Sequence, residues 1–373
     1  MSLEITSPAV IHCGAGTFSR IVEEAPRLGK RAAIVTGAHL LHSRLIADLH
    51  EDLHKRGIGA AIADPVTGEP TVEMVDDLAA FLRQNKADFV ISIGGGSVID
   101  TAKAAAVMAT NDGLTEAYQL KRREIENPPL PQIAVPTTAG TGSEATRVSV
   151  LTNEHLGIKR SISHPAMTPN IAILDPELTV SLDKRLTTLT AMDAFAHAIE
   201  SAVSLKADSY TRHMALAGIE QLNKGLPICQ AHPSDLDARL ACLMGSCFAG
   251  LAMQMGLGAS HSLAPAVCIV GKMRHSEAIA ALLPHSIEFN ERERPDVYDE
   301  VQRAMGCDSV AARLIELCSA GGVSTSLSSY GLTSSDEDAV IEAMNRYGSH
   351  RQTNPVEVTD AYARELIEHS LGD

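Results

Sequence analysis

The run ADFVISIGGGSVIDTAKAAA (Ala87–Ala106) constrains the fold more than any other part of this chain. A largely apolar stretch, Phe89 to Ile93, passes directly into three glycines and then into an alanine-rich segment with helical spacing. A strand that is apolar on both faces belongs in a parallel sheet covered by helices, and the glycine turn predicts the strand–helix junction. The same grammar recurs. RAAIVTG (Arg31–Gly37) reads as a strand closed by glycine, followed by the helical pattern LIADLHEDLHKRG. IGAAIAD is the next strand, TVEMVDDLAAFLRQNK the next helix, and PQIAVPTTAGTGSEAT and NIAILDPELTVSL carry two further strands.

After about Leu182 the strand signals fade and long alanine- and leucine-rich helical patterns take over. The expected architecture is an α/β nucleotide-type domain with a parallel sheet, residues 1–181, followed by an all-α domain, residues 182–373. A chain of 373 residues suits two domains. Aromatics make up only 3% and tryptophan is absent, so the core must be aliphatic.

A net charge of −15 without a long basic run argues against nucleic acid or an acidic membrane surface as partner. The start, MSLEITSPAV, lacks the charged-then-apolar pattern of a signal peptide. The longest apolar stretch, Gly245–Val267, is broken by Gln254 and His261 and reads as a buried helix running into a loop. Seven cysteines form no C-x-x-C pair, which makes a reducing cytoplasm the expected location.

Two loops have the chemistry of a dinucleotide site. Gly94, Gly95, Gly96 and Ser97 open a helix, where glycine permits close backbone approach and first-turn N–H groups suit a phosphate. Asp100 either caps that helix or contacts the ligand. The spacing matches neither G-x-G-x-x-G nor the P-loop pattern. In the second loop Thr137, Thr138, Thr141 and Ser143 offer hydroxyl donors with no bulky side chain to block a ligand.

TAMDAFAHAIES places Asp193 and His197 at i, i+4 on one face of an apolar helix. Alone, such a pair is usually a local hydrogen bond, and His50 and His54 show the same spacing amid surface charge. His261 and His275, however, also lie in apolar contexts downstream. An Asp/His₃ set can hold a divalent transition metal with a position left for substrate, and Fe(II) and Zn(II) both suit it.

GGGSVIDTAKA, PTTAGTGSEATRVSVLT, MDAFAHAIE, GLGASHSLA and PHSIEFN together resemble the iron-containing (group III) alcohol dehydrogenases. The likeness runs from IHCGAGTFSRI to TNPVEVTD, nearly the whole chain. It implies a dehydroquinate synthase-like two-domain fold, a dinucleotide-binding α/β domain and a helical domain with metal and substrate in the cleft between them. It further implies metal ligands at Asp193, His197, His261 and His275, a pyrophosphate loop at Gly94–Ser97 with Asp100 alongside, cofactor contacts from Thr137, Thr138 and Thr141, and a cofactor lysine at Lys159. The implied reaction is reversible hydride transfer between NAD or NADP and a small alcohol or aldehyde, in a homodimer or larger assembly.

Three departures from the family pattern matter. Gly37 stands where many members carry an aspartate that disfavours a 2′-phosphate, so NADP(H) becomes acceptable. Pro265 replaces a histidine thought to relay protons, and His350 and Val356 replace a cysteine and an arginine in HRQTNPV. His350 is the candidate catalytic relay in place of Pro265, beside His261, because an unperturbed imidazole suits proton transfer. Lys272, Arg274 and Arg351 place positive charge beside ligand His275 or His350, which suits an acidic aldehyde. The competing readings are a metal- and NAD-dependent cyclase resembling dehydroquinate synthase, a metallohydrolase, and a non-catalytic nucleotide-binding module.

Overall fold

The computed structural model describes residues 5–347 and 350–372. Its contacts divide the chain into two compact units. One runs up to Thr138 and resumes from Ser143 to Thr179, and the other comprises Ala139–Gly142 and the chain from Val180 onward.

The first unit is built on a six-stranded parallel sheet. Its strands are β1 (Val10–Cys13), β2 (Arg31–Thr36), β3 (Gly59–Ile62), β4 (Phe89–Gly94), β5 (Gln132–Pro136) and β8 (Ile171–Leu174), in the order β1-β8-β5-β4-β2-β3. β4 and β5 are buried throughout, as the apolar runs require. Counting α-helices of ten or more residues, α1 (Arg44–Lys55), α2 (Val72–Gln84) and α3 (Gly96–Thr110) belong to this unit. Ser43 caps α1 and Thr71 caps α2, each accepting an N–H from three residues on. One apolar cluster packs α2 and α3 over one face of the sheet, and a second packs α1 against the other. β2 pairs with β3 on one side and with β4 on the other, which makes their junction the topological switch point of the sheet.

A further hairpin, β6 (Val148–Asn153) with β7 (Ile158–Ser163), forms a separate two-stranded antiparallel sheet. The alternation in VSVLTN and the glycine at Gly157, with φ of +62°, encode it.

The second unit is helical: α4 (Lys184–Val203), α5 (Ser209–Ala231), α6 (Leu236–Ala252), α7 (Ala259–Gly271), α8 (His275–Glu293), α9 (Val310–Ala320), α10 (Glu337–Tyr347) and α11 (Asp360–Leu371). One stretch, Leu236–Met255, is long and apolar enough to cross a membrane, yet it lies mostly buried within this unit. Ala139–Gly142 joins the unit through a backbone contact. A Cβ on Gly250 of α6 would lie 2.5 Å from the Gly142 carbonyl oxygen, and Gly142 itself has a φ of +60°. The main division falls at Thr179/Val180, two residues before the expected boundary after 181, and Ala139–Gly142 in addition groups with the helices, so Thr141 belongs to the helical unit.

Candidate active site

In α4 almost every residue from Thr187 onward is buried, so the polar residues of its inward face meet other protein rather than water. Asp193, His197 and Glu200 follow at i, i+4 and i+7 and share that face. His261 lies in the first turn of α7, and His275 is the first residue of α8. Asp193, His197 and His261 are buried and His275 is half-buried.

The Asp193 Oδ1 atom lies 3.9 Å from His197 Nε2, 3.7 Å from His261 Nε2 and 3.6 Å from His275 Nε2. These separations are too long for hydrogen bonds. A tetrahedral ion with bonds of about 2.1 Å spaces its ligand atoms by about 3.4 Å, close to the 3.6–3.9 Å that Asp193 keeps to each histidine, and Asp193, His261 and His275 place their ligand atoms within 4.8 Å of one another. Asp193 Oδ1 and His261 Nε2 are buried without any hydrogen-bond partner. Two buried polar atoms without a partner, 3.7 Å apart, are costly unless a cation takes both, with His261 giving up its Nε2 proton as the metal binds. The donor set fits a divalent transition metal. His50, by contrast, hydrogen-bonds the Ala60 carbonyl at 3.0 Å.

Glu200 is the residue that sequence reasoning missed. Its carboxylate accepts the Gly258 N–H at 2.9 Å, the Ser260 N–H at 2.7 Å and His261 Nδ1–H at 2.7 Å. The last bond fixes the His261 tautomer and leaves the Nε2 lone pair for a metal. The i+7 spacing after Asp193 was the available signal.

The stretch 350–354 grips the same turn. His350 Nδ1 accepts the Leu257 N–H at 3.2 Å, Thr353 Oγ1 donates to the Leu257 carbonyl at 2.5 Å, and Asn354 Oδ1 accepts the Ala259 N–H at 3.1 Å. A Cβ on Gly258 would lie 2.8 Å from Asn354 Oδ1 and 3.0 Å from Glu200 Cδ, so this position requires glycine.

Burial opposes charge on Asp193, His197, Glu200, His261 and His350, and the outcome differs from group to group; for His197 burial prevails and lowers its pKa. Burial works against the Asp193 anion, but the neighbouring imidazoles hold its carboxyl well below the usual range. Burial likewise opposes charge on His261, yet Glu200 and Asp193 raise it to about 9. His350 moves the other way. Burial, assisted by the positive His261, lowers it to about 4. The expected near-neutral titration of His350 is thus not met, because the imidazole is buried and its Nδ1 is already used by Leu257.

The glycine, serine and threonine cofactor candidates of the first unit lie at the carboxyl ends of β2, β4 and β5, beside the switch point. Gly95 is the N-cap of α3, and Gly96 and Ser97 present first-turn N–H groups that helix geometry leaves without an intrahelical partner. Gly94 is dictated by packing, since its Cβ would lie 2.5 Å from Val98. Gly37 follows β2 and has no atom closer than 3.8 Å to a built Cβ. Thr137 and Thr138 follow β5, and Thr138 lies within 3.4 Å of a Cβ on Gly95.

Asp100 does not cap α3, because it lies a full turn inside the helix. Its carboxylate accepts from Ser143 Oγ and from the Val150 N–H at 2.8 Å, and it pairs with Lys103 at 3.3 Å. Lys103, which sequence reasoning passed over, is wholly buried and donates to the Ser143 carbonyl and Thr146 Oγ1, each at 3.0 Å. Burial lowers its pKa. Together these two residues anchor the second loop to α3. Lys159 on β7 pairs with Glu69 at 2.8 Å. Lys272 and Arg274 are exposed, whereas Arg351 is engaged by Asn345, Asp360 and the Val358 carbonyl and is withdrawn as a substrate cation.

Residues 8–176 match the family described as iron-containing alcohol dehydrogenase, and residues 187–371 match its C-terminal counterpart. The chain belongs to the iron-containing alcohol dehydrogenase family. It is 35% identical over 344 residues to the probable alcohol dehydrogenase EutG of Escherichia coli strain K12, covering 90% of this chain and 87% of that protein. A solved 1,3-propanediol oxidoreductase matches with a TM-score of 0.93 at 29% identity, over 99% of this chain and 100% of the other. Sulfoacetaldehyde reductase from Bifidobacterium kashiwanohense, solved in complex with NAD+, matches with a TM-score of 0.88 at 29% identity, over 100% and 99%. Like its relatives, this iron-type alcohol dehydrogenase is a metal-dependent, NAD-linked oxidoreductase acting on alcohols or aldehydes. Family membership sets aside the cyclase, hydrolase and binding-module readings.

Proposed function

We propose that this enzyme holds Fe(II) on Asp193, His197, His261 and His275, accepts NADP(H) as well as NAD(H), and reduces a small acidic aldehyde reversibly to its alcohol. The single observation that carries the reading is the buried convergence of Asp193 Oδ1 and His261 Nε2 without hydrogen-bond partners. When bound, the metal supplies Lewis acidity toward the substrate oxygen and the nicotinamide supplies or accepts the hydride.

The chain's own residues do the positioning. Gly96 and Ser97 offer N–H groups to the pyrophosphate at the start of α3, Thr137 and Thr138 offer hydroxyls beside them, and Lys159 offers a cation to the cofactor. Gly37 leaves space for a 2′-phosphate without a repelling carboxylate. Thr141 acts from the helical unit. Asp100 serves by fixing Ser143 and the loop, not by capping. Glu200 orients His261, and His350 holds Leu257 with its remaining proton on Nε2. Lys272 ends α7 in the left-handed conformation, with φ of 52°, and with Arg274 places two exposed cations immediately before His275. The similarity to a sulfoacetaldehyde reductase supports an acidic substrate. Seven cysteines without a C-x-x-C pair support a reducing cytoplasm, and a homo-oligomer of this chain is the proposed assembly.

The test is anaerobic loading with Fe(II) or Zn(II) in turn, followed by NADH and NADPH absorbance against neutral and acidic aldehydes. Metal-dependent oxidation abolished in His261→Ala is expected, with the acidic preference reduced about tenfold in Lys272→Ala/Arg274→Ala. Oxidation that survives His261→Ala refutes the metal set. An unchanged substrate preference in the double variant refutes the acidic aldehyde.

A further inference from the structure

A second group of ligating side chains takes no part in this reaction. His285 and Glu288 stand three residues apart on α8 and so share a face of that helix, and His369 in the last turn of α11 faces them. One ligand atom from each lies within 4.8 Å of the other two. His285 is ten residues, about 15 Å of helix rise, beyond His275, so the two groups are separate.

The group is already arranged for coordination. His285 Nε2 lies 3.1 Å from the Thr325 carbonyl, an acceptor, so Nε2 carries the hydrogen and Nδ1 keeps its lone pair. That Nδ1 is buried and has no hydrogen-bond partner. The His369 ring meets the His285 ring edge-on with centroids 5.1 Å apart, and its Nε2 is 3.4 Å from Glu288 Oε2. Phe289 packs edgewise on His369 at 5.8 Å and limits how far that ring can turn away. The segment that orients His285 also secures α11, because Ser328 Oγ donates to the Leu371 carbonyl at 2.6 Å.

We propose that His285, Glu288 and His369 form a second metal site, taking Zn(II) and tying the last helix α11 to α8. Two imidazole nitrogens and one carboxylate oxygen suit a borderline transition ion with water completing its shell, whereas Mg²⁺ and Ca²⁺ select all-oxygen sets. A backbone carbonyl holding the far nitrogen of a ligating histidine is the usual support for such a site.

The experiment is Zn(II) titration of the metal-stripped full chain, with bound metal counted by atomic emission after gel filtration. Wild type is expected to retain two equivalents per chain and His369→Gln one, with turnover under saturating catalytic metal unchanged. Glu288→Gln, which removes the anionic ligand, is expected to weaken the second equivalent while leaving the first unchanged. His261→Ala should lose the first equivalent and keep the second, which separates this site from the catalytic one. The second equivalent should also raise the melting temperature of wild type but not of His369→Gln. A wild type that retains a single equivalent, or a His369→Gln that retains two, overturns the proposal.

Discussion

Replacing Glu200 by glutamine tests how the third metal ligand is held. The wild-type carboxylate accepts three N–H groups at 2.7–2.9 Å, all buried, and one of them belongs to His261 itself. Glutamine keeps the volume but offers one acceptor oxygen, and its amide N–H₂ must then face another donor. A hydrogen bond to a charged partner is worth about 1.5–3 kcal/mol. Loss of an outer partner of a ligating histidine lowers metal affinity about 10- to 100-fold, or about 1.4–2.7 kcal/mol. The two figures agree, so a Glu200→Gln enzyme should bind Zn(II) or Fe(II) 10- to 100-fold more weakly. At saturating metal it should recover turnover to within several-fold, because no ligand has been removed. Competition against a chromophoric chelator, run anaerobically for Fe(II), measures the affinity. A dissociation constant within about threefold of wild type would show that His261 is oriented by something other than Glu200, and the reasoning would fail.

Gly37→Asp should fit sterically, with nothing nearer than 3.8 Å to its Cβ, and should cut kcat/KM for NADPH about 10- to 30-fold while sparing NADH. Equal effects on both coenzymes would refute Gly37 as the 2′-phosphate position. Glu144 is buried with one carboxylate oxygen unpartnered, and burial raises it from 4.5 to about 7. The native state therefore binds the proton that the unfolded chain releases, and stability falls as pH rises from about 4.5 to 7. Over that window Glu144→Gln should gain on wild type by on the order of 3 kcal/mol, and urea unfolding that shows a constant difference at pH 5 and pH 8 would contradict it. Gly250→Ala should cost about 3 kcal/mol, because its methyl would meet the Gly142 carbonyl oxygen at 2.5 Å. An undiminished urea midpoint would show that the Gly142–Gly250 contact is not close.

What the sequence revealed and what it concealed divide by range. Five of the six strands of the parallel sheet and their helices were legible because a buried strand and an amphipathic helix write their periods into five to fifteen consecutive residues, as in Phe89–Gly94 and Val72–Gln84, whereas the short, half-buried edge strand Val10–Cys13 was not. Asp193 and His197 were legible because four residues make one turn. The β6–β7 hairpin was missed although VSVLTN alternates, because PTTAGTGSEAT drew the reading toward a ligand loop. The partners of Glu200 and Asn354 were missed for a different reason, although the i+7 spacing placed Glu200 on the metal-ligand face. The work of these two side chains is done on residues 58 and 95 positions away, and no local pattern reports a cap delivered from so far. Lys103 and Asp100 are similar, since their partners lie on Ser143, Thr146 and Val150.

The distant cap and the unusual proline belong to one arrangement. Pro265 lies in α7 four residues after His261, so the N–H that would ordinarily bind the His261 carbonyl does not exist. A helix interrupted there costs about 3 kcal/mol or more, and the turn bearing the ligand loses a bond that would fix it. Gly258 at the N-cap has no side chain to compensate. Glu200 instead takes the N–H groups of Gly258 and Ser260, Asn354 that of Ala259, and His350 that of Leu257. Four consecutive donors are thus satisfied from outside the helix, by one buried carboxylate and two side chains of a single later stretch. Because Asn354 is itself held by Asn290 of α8 at 2.9 Å, the turn carrying His261 is referenced to the same helix that begins with His275. The geometry of the third ligand is therefore set by tertiary contacts and not by α7, which is why this chain can place proline where a relay histidine is expected and still keep His261 Nε2 pointed at Asp193.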